Sequence, residues 1–258
     1  AMLPGVQSII FVGHNYNQRE HRGHAGTTSS DRLPDPARAN TEEHEPRGRI
    51  ARYAWGRDYH KELGKRLRRI ARELGQRYPE DSFRSFTDAT PLNERHYAQR
   101  AGVGFTGRHT LLINGEYGSW FFLGEILSTR WLPAGEAAGT HHGACPRTCA
   151  RCIDVCPTDA LTGPHEIDAS RCISYLTIEH SGVIPEELRS LMGEWLFGCD
   201  LCQEVCPLNV RARETDVPAF VRPIAGSRVL LGELLRMRTH EAFVERFAGS
   251  PLMRPGWR

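Results

Sequence analysis

Eight cysteines crowd into 62 of the chain's 258 residues, and the first 144 residues carry none. Secreted disulfide scaffolds spread their cysteines through smaller chains. Clustering of this kind points instead to thiolate ligands in a reducing compartment. The spacing narrows the reading further. Cys149-Ala-Arg-Cys152-Ile-Asp-Val-Cys156-Pro157 recurs 50 residues later as Cys199-Asp-Leu-Cys202-Gln-Glu-Val-Cys206-Pro207. Both blocks read C-x2-C-x3-C-P, so the chain contains an internal repeat. Cys145 before the first block and Cys172 between the two raise the count to four ligands for each of two sites.

Bacterial two-cluster modules use C-x2-C-x2-C-x3-C-P, and the fourth cysteine of each run serves the other cluster. By that logic Cys145, Cys149, Cys152 and Cys206 hold one [4Fe–4S] cluster, and Cys156, Cys172, Cys199 and Cys202 hold the second. Crossing over the last ligand keeps the two cubes close enough to exchange electrons. The proline after each final cysteine turns the chain away and removes a backbone donor. A pair of four-thiolate zinc sites is the alternative, but zinc has no need of the repeated Cys-Pro. The first gap, Pro146-Arg147-Thr148, is one residue longer than the pattern, which leaves Cys145 the ligand that the loop must adapt to reach.

The remainder reads as a folded, mixed α and β chain. Hydrophobic residues make up 40% and charged residues 25%, ordinary values that exclude disorder for most of its length. No run approaches the roughly 18 apolar residues that a membrane span requires, so the expected compartment is the cytoplasm. Residues 8–13 read as a strand, 20–48 as a long polar loop, and 58–77 as a helix. On that helix Leu63, Leu67, Ile70, Ala71 and Leu74 share one face. Ser82–Thr87 reads as a short strand, and Thr90-Pro91 as the N-cap and first turn of a helix over 92–101. Strands follow at 110–113 and 119–123, and two short helices within 228–247. The expected class is therefore α+β: an α/β domain over 1–140, a ferredoxin-like two-cluster module over 141–210, and the start of a helical region over 211–258.

Charge is uneven along the chain. Residues 57–77 carry eight Lys or Arg against three Asp or Glu, whereas residues 145–206 carry four against ten. The cluster face should repel a phosphate backbone, while the helix could attract one. The plainer reading is that Lys61, Lys65, Arg66, Arg68, Arg69 and Arg72 form a solvated helix face. Two clusters alone would need only a short chain, so the preceding 140 residues should house an electron acceptor, a substrate or a redox cofactor. Gly102-Val-Gly104-Phe-Thr-Gly107 has dinucleotide-loop spacing but follows a helix rather than a strand, which argues against that use.

Several blocks resemble epoxyqueuosine reductases, the cobalamin-dependent iron–sulfur enzymes of tRNA queuosine synthesis. They are Arg52-Tyr-Ala-Trp-Gly-Arg-Asp-Tyr-His60-Lys61, Ala101-Gly-Val-Gly-Phe-Thr-Gly-Arg-His-Thr-Leu-Leu-Ile-Asn114 and Gly118-Ser-Trp-Phe-Phe-Leu-Gly-Glu-Ile126. Cys172-Ile-Ser-Tyr-Leu-Thr-Ile-Glu179 and Gly198–Pro207 complete the set. Against the family pattern, an N-terminal segment before Leu3-Pro4-Gly5 and a helical continuation past Ser250-Pro251 are expected to be missing. The resemblance implies cobalamin in the first domain beside one cluster, electrons arriving from an external donor, and a tRNA anticodon arm as substrate. It also implies a monomer.

The family's proton donor falls on Asp88, in Phe86-Thr87-Asp88-Ala89-Thr90-Pro91. A neutral carboxylic acid at physiological pH requires burial to raise its pKa, and a site under a corrin face is expected to supply it. A turn or capping aspartate is the alternative. By position in the matching blocks, Arg52, Asp88, Leu112, Leu123, Ser174 and Asp200 are the implied cobalamin contacts. No histidine stands out as a cobalt ligand: His60 and His109 read as buried hydrogen-bonded residues, and His141 and His142 as loop residues. With tRNA as substrate, Lys61, Lys65, Arg68, Arg69, Arg72, Arg211 and Arg213 become candidates for phosphate contacts, which position without reading sequence. Two other readings stay open at this point. One is a reductive dehalogenase-like cobalamin enzyme, and the other is a non-catalytic electron-transfer module.

Overall fold

The computed structural model describes residues 2–19, 45–88, 91–133, 135 and 143–256. Its first sheet is antiparallel throughout. Strand β1 (Ser8–Asn15) runs along β6 (Phe121–Ser128) from Ser8 opposite Ser128 to Asn15 opposite Phe121, and β3 (Phe83–Phe86) pairs with the other edge of β6. The order is β1-β6-β3. As the central strand, β6 is covered on both faces, and Gly124 through Ser128 are all buried. That is why an almost unbroken apolar run replaces the alternation of a half-exposed strand.

Helix α1 (Tyr59–Arg77) lies on this sheet. Asp58 caps it by accepting the His60 N–H at 3.0 Å. Its buried stripe of Tyr59, Leu63, Gly64, Leu67 and Ala71 meets Tyr16, Trp120, Phe122, Ile126 and Phe220. Tyr59 stacks on Phe122 with ring centroids 4.1 Å apart. A β-carbon on Gly124 would fall 2.5 Å from Leu67 Cδ1, so the helix approaches β6 closely only because that position is glycine. Ile70 departs from the expected stripe and is exposed.

A second sheet ties distant segments together. Strand β2 (Arg47–Ile50) is flanked by β7 (Trp195–Phe197), parallel to it, and by β8 (Arg228–Leu230), antiparallel. Arg47 and Gly48, read from sequence as loop, are thus strand residues, because β8 supplies the pairing that local composition does not show. The same pairing makes 228–230 a strand ahead of the two short helices there. The rest of the polar stretch, 20–44, lies outside the described residues.

Helix α2 (Glu94–Arg100) begins two residues later than expected, with Asn93 rather than Thr90 as its cap; Thr90 also lies outside the described residues. Strands β4 (Phe105–Thr106) and β5 (Leu112–Ile113) form a small hairpin. The cluster module contributes α3 (Arg151–Asp154), α4 (Ile173–Ile178), α5 (Glu186–Arg189) and α6 (Leu201–Glu204). It is followed by α7 (Pro218–Val221), α8 (Leu231–Arg236) and α9 (His240–Phe247).

These last residues are no separate appendage. Phe243 and Phe247 of α9 share one core with Ile50, Phe197, Ala225 and Val229. Phe247 is fully buried, so Phe247→Ala should destabilise the fold by about 3–5 kcal/mol. A lowered midpoint in urea unfolding checks this; an unchanged midpoint would place the C-terminal segment outside the core.

Candidate cluster cage and acid site

The two cysteine blocks fold alike. In each, a single helical turn carries the second cysteine of the C-x2-C pair, Cys152 or Cys202, and the chain then turns at Cys-Pro. Ile153 and Asp154 N–H donate to Ala150 O, Gln203 and Glu204 N–H donate to Asp200 O, and Cys156 and Cys206 N–H each donate three residues back. Turns α3 and α6 pack on one another, which brings the last cysteine of each block toward the other block. Cys145, Cys149, Cys152 and Cys206 line one small pocket, with Arg108, His109 and Arg151 in its wall. The longer first gap is taken up by a turn in which Cys149 N–H donates to Pro146 O at 3.0 Å, and Arg108 N–H donates to Cys145 Sγ at 3.4 Å. Around the second set, Cys199 feels the charges of Cys172 and Cys156, and burial pushes its thiol up to about 12. Binding metal at such thiols must release protons.

These residues fit four-iron clusters better than zinc. A single zinc ion holds four sulfurs at about 2.3 Å from one point. Here Cys206 of the second block lines one pocket with Cys145, Cys149 and Cys152 of the first. A cubane binds each thiolate to a different iron and accepts a wider cage. His109 adds a second match. Its Nδ1 accepts the Leu111 N–H at 3.2 Å, so the proton sits on Nε2, which is buried without a hydrogen-bond partner. Burial pulls this imidazole down to about 4, leaving a neutral donor in the cavity wall. The sequence reading of His109 as buried and hydrogen-bonded accounts for one of its two nitrogens.

Asp88 stands just beyond β3. Thr87 Oγ1 donates to Leu123 O at 3.0 Å and pins the strand end to β6. Asp88 itself adopts a left-handed backbone with φ 48°, a conformation uncommon for a residue other than glycine. Its Oδ2 accepts the Tyr59 hydroxyl at 2.7 Å and lies 3.5 Å from His60 Nε2 and 3.7 Å from an Arg254 guanidinium nitrogen. His60 Nδ1 meets Asp58 Oδ1 at 2.8 Å. The imidazole is therefore clamped between two carboxylates at the start of α1.

The charges here differ from expectation. The His60 hydrogen bond, working against burial, holds the Asp88 carboxyl below the usual aspartate range. Its side chain is 55% exposed, too open for burial to dominate. Burial pulls His60 down, but its bonds to Asp58 and Asp88 outweigh that and raise it to about 9. At neutral pH the proton expected on Asp88 thus resides on His60. Asp88 is ionised above its lowered value and His60 loses its proton only as pH rises through about 9. The ion pair is intact between those limits.

Comparison with known proteins follows the same division of the chain. Residues 1–89 match the family model described as Epoxyqueuosine reductase QueG, DUF1730, and residues 145–209 match the 4Fe-4S double cluster binding domain. An epoxyqueuosine reductase from Xanthomonas campestris pv. campestris is 42% identical, over 99% of this chain and 66% of its own length. One from Synechocystis sp. is 38% identical, over 98% of this chain and 80% of its own. The chain belongs to the epoxyqueuosine reductase family. A crystal structure of an epoxyqueuosine reductase with an epoxyqueuosine-modified tRNA-Tyr stem loop superposes with a TM-score of 0.83 at 30% identity, covering 99% of this chain and 62% of that one. The chain spans about two thirds or less of the length of most of the relatives it matches first.

The cobalamin contacts implied by the family divide into separate groups here. Arg52 N–H donates to Asp200 Oδ2 at 2.6 Å, between Cys199 and Cys202 of the second set, and the Arg52 side chain covers the Trp120 ring at 3.9 Å. Arg52 Nε is buried without a hydrogen-bond partner, an unengaged donor suited to a corrin amide. Leu123 and Ser174 are half-buried, whereas Leu112 and Asp200 are buried. The orphaned Arg52 Nε is the feature here that fits an amide-rich ligand. His141 and His142 lie outside the described residues.

Tyr59, His60 and Arg254 complete the acid site. The sequence signal for the first two was Asp58-Tyr59-His60 at a helix start; nothing local marks Arg254. His60→Gln should remove the proton store beside Asp88. The decline in single-turnover rate centred near pH 9 should then disappear, and an unaltered pH profile would remove His60 from the site.

Proposed function

We propose that the chain reduces epoxyqueuosine to queuosine at the wobble position of a tRNA anticodon, as a cytoplasmic monomer supplied by an external electron donor. What carries the reading is Asp88 Oδ2, held by Tyr59, His60 and Arg254 on a chain whose residues 145–209 are an eight-cysteine cluster module. The reaction converts an epoxide to an alkene and releases its oxygen as water, consuming two electrons and two protons. When bound, two [4Fe–4S] clusters relay single electrons and cobalamin supplies the strongly reducing centre. Asp88 is the residue that hands a proton to the departing oxygen. Because Asp88 is ionised at rest, His60 first supplies that proton through the contact to Oδ2, and Tyr59 and Arg254 fix the carboxylate while its charge changes. The second proton comes from solvent. Arg52, Leu112, Leu123, Ser174 and Asp200 would hold the cobalamin.

Lys61, Lys65, Arg68, Arg69 and Arg72 are exposed along α1, whose N-terminus carries His60. That placement supports their use as phosphate contacts for the anticodon arm, with Arg211 and Arg213 on the C-terminal side. Arg69 is paired with Glu73 at 2.8 Å and Arg213 with Glu116 at 2.9 Å, so both exchange partners on binding. No helix among the described residues is long and apolar enough to cross a membrane. Anaerobic incubation of the loaded chain with an epoxyqueuosine stem loop, followed by nucleoside mass analysis, tests the proposal. Loss of one oxygen is expected. Electron transfer to an artificial acceptor with the nucleoside unchanged would overturn it in favour of an electron-transfer module.

A further inference from the structure

Glu125 sits in the middle of β6 with no exposed surface, opposite Phe86 of β3 and Phe11 of β1. A carboxyl group in such a position is unfavourable unless it is neutral or hydrogen-bonded. Its side chain bonds that of Glu94, in the first turn of α2. Two carboxyl groups can share a hydrogen bond only when one of them carries a proton. Glu94 Oε1 also accepts the backbone N–H of Asp88 at 3.1 Å. The residue in left-handed backbone beside the acid site is therefore anchored, through Glu94, to a carboxyl buried in the sheet.

We infer that Glu94 and Glu125 form a proton-sharing pair that positions Asp88, and that loss of the shared proton loosens this anchor. The inference rests on the reading of Asp88 as the proton donor. Glu94 faces Glu125 from β6 and Asp88 from the end of β3. Beyond Asp88 stand Tyr59 and His60 of α1 and Arg254. Arg95, its neighbour on α2, donates instead to Thr110 O at 2.8 Å. The two charges that act on Glu94 most, those of Glu125 and Asp88, are both negative. Burial first, and then Glu125 and Asp88, push Glu94 up to about 7. Such a pair titrates as a unit. Above neutrality it gains a negative charge beside the already ionised Asp88.

The test uses the full chain with its clusters and cobalamin, as wild type, Glu94→Gln, Glu94→Ala and Glu125→Gln. The first readout is amide hydrogen-exchange protection of the peptide carrying Asp88, measured across pH 6–8. Protection should fall with rising pH in the wild type, stay flat in Glu94→Gln and Glu125→Gln, and be low throughout in Glu94→Ala. The second readout is the single-turnover rate on the stem loop. Glu94→Ala should slow it about tenfold with stem-loop affinity retained, and both glutamine variants should lose the rate decline near pH 7. Glutamine preserves size and an acceptor oxygen, so its rescue of the alanine defect separates positioning from bulk structure. Unchanged protection in Glu94→Ala, or a pH 7 decline persisting in both glutamine variants, would overturn the inference. If no protein converts the stem loop, the functional proposal fails, and the exchange readout still decides the carboxyl pair.

Discussion

Asp88→Asn should reduce turnover about a hundred- to ten-thousand-fold while the chain keeps all of its iron. The side chain changes by one group, and Asn can still accept the Tyr59 hydroxyl that now bonds Oδ2 at 2.7 Å. What disappears is the ability to take a proton from His60 and pass it on. The pH dependence separates this loss from a folding defect. In the wild type, His60 is raised above its ordinary value, so its contribution to stability is present at low pH and is lost as pH rises through about 9. Asp88 is lowered, so its contribution is present at neutral pH and is lost only in acid. Replacing Asp88 removes one of the two carboxylates that raise His60, so the His60 titration should move down. An unimpaired single-turnover rate in Asp88→Asn would remove it as the proton donor.

The second large effect concerns the crossover of the clusters. Cys206 belongs to the second block by sequence but lines the cavity of Cys145, Cys149 and Cys152. Cys206→Ala should therefore destroy the cluster of the first block and leave about four irons of eight. The decisive variant combines Cys145→Ala with Cys206→Ala. If both ligate one cluster, the double variant retains the same four irons as either single one. If each block held its own cluster, the pair would remove both. Iron analysis after anaerobic reconstitution distinguishes the outcomes.

The cysteine module was legible because its information is local. Spacing fixes which thiolates share a turn, and the repeat fixes the two-fold plan that α3 and α6 display. Helix α1 was equally legible, since Asp58 caps it and its apolar stripe has one period. The second sheet was not. Arg47-Gly48-Arg49-Ile50 has no strand pattern of its own and becomes a strand only because residues 180 positions later run beside it. Sequence separation also hid Arg254, which reaches Asp88 from the C-terminal segment. Asp88 was singled out through family resemblance, with burial under a corrin face expected to raise its carboxyl, whereas its His60 contact holds it low here. The expectation counted burial and missed the imidazole one helical turn from the core. Glu125 escaped notice because a glutamate inside an apolar strand looks, in sequence, like any polar interruption, and Glu94 because an acidic residue in a helix's first turn is ordinary.

The most direct test of the account is the content of iron, sulfide and cobalt per chain after anaerobic reconstitution with cobalamin present. The account predicts about eight irons, eight sulfides and one cobalt. Zinc in place of iron would contradict the cluster assignment. A full complement of iron with no cobalt would contradict the proposal that this chain holds cobalamin.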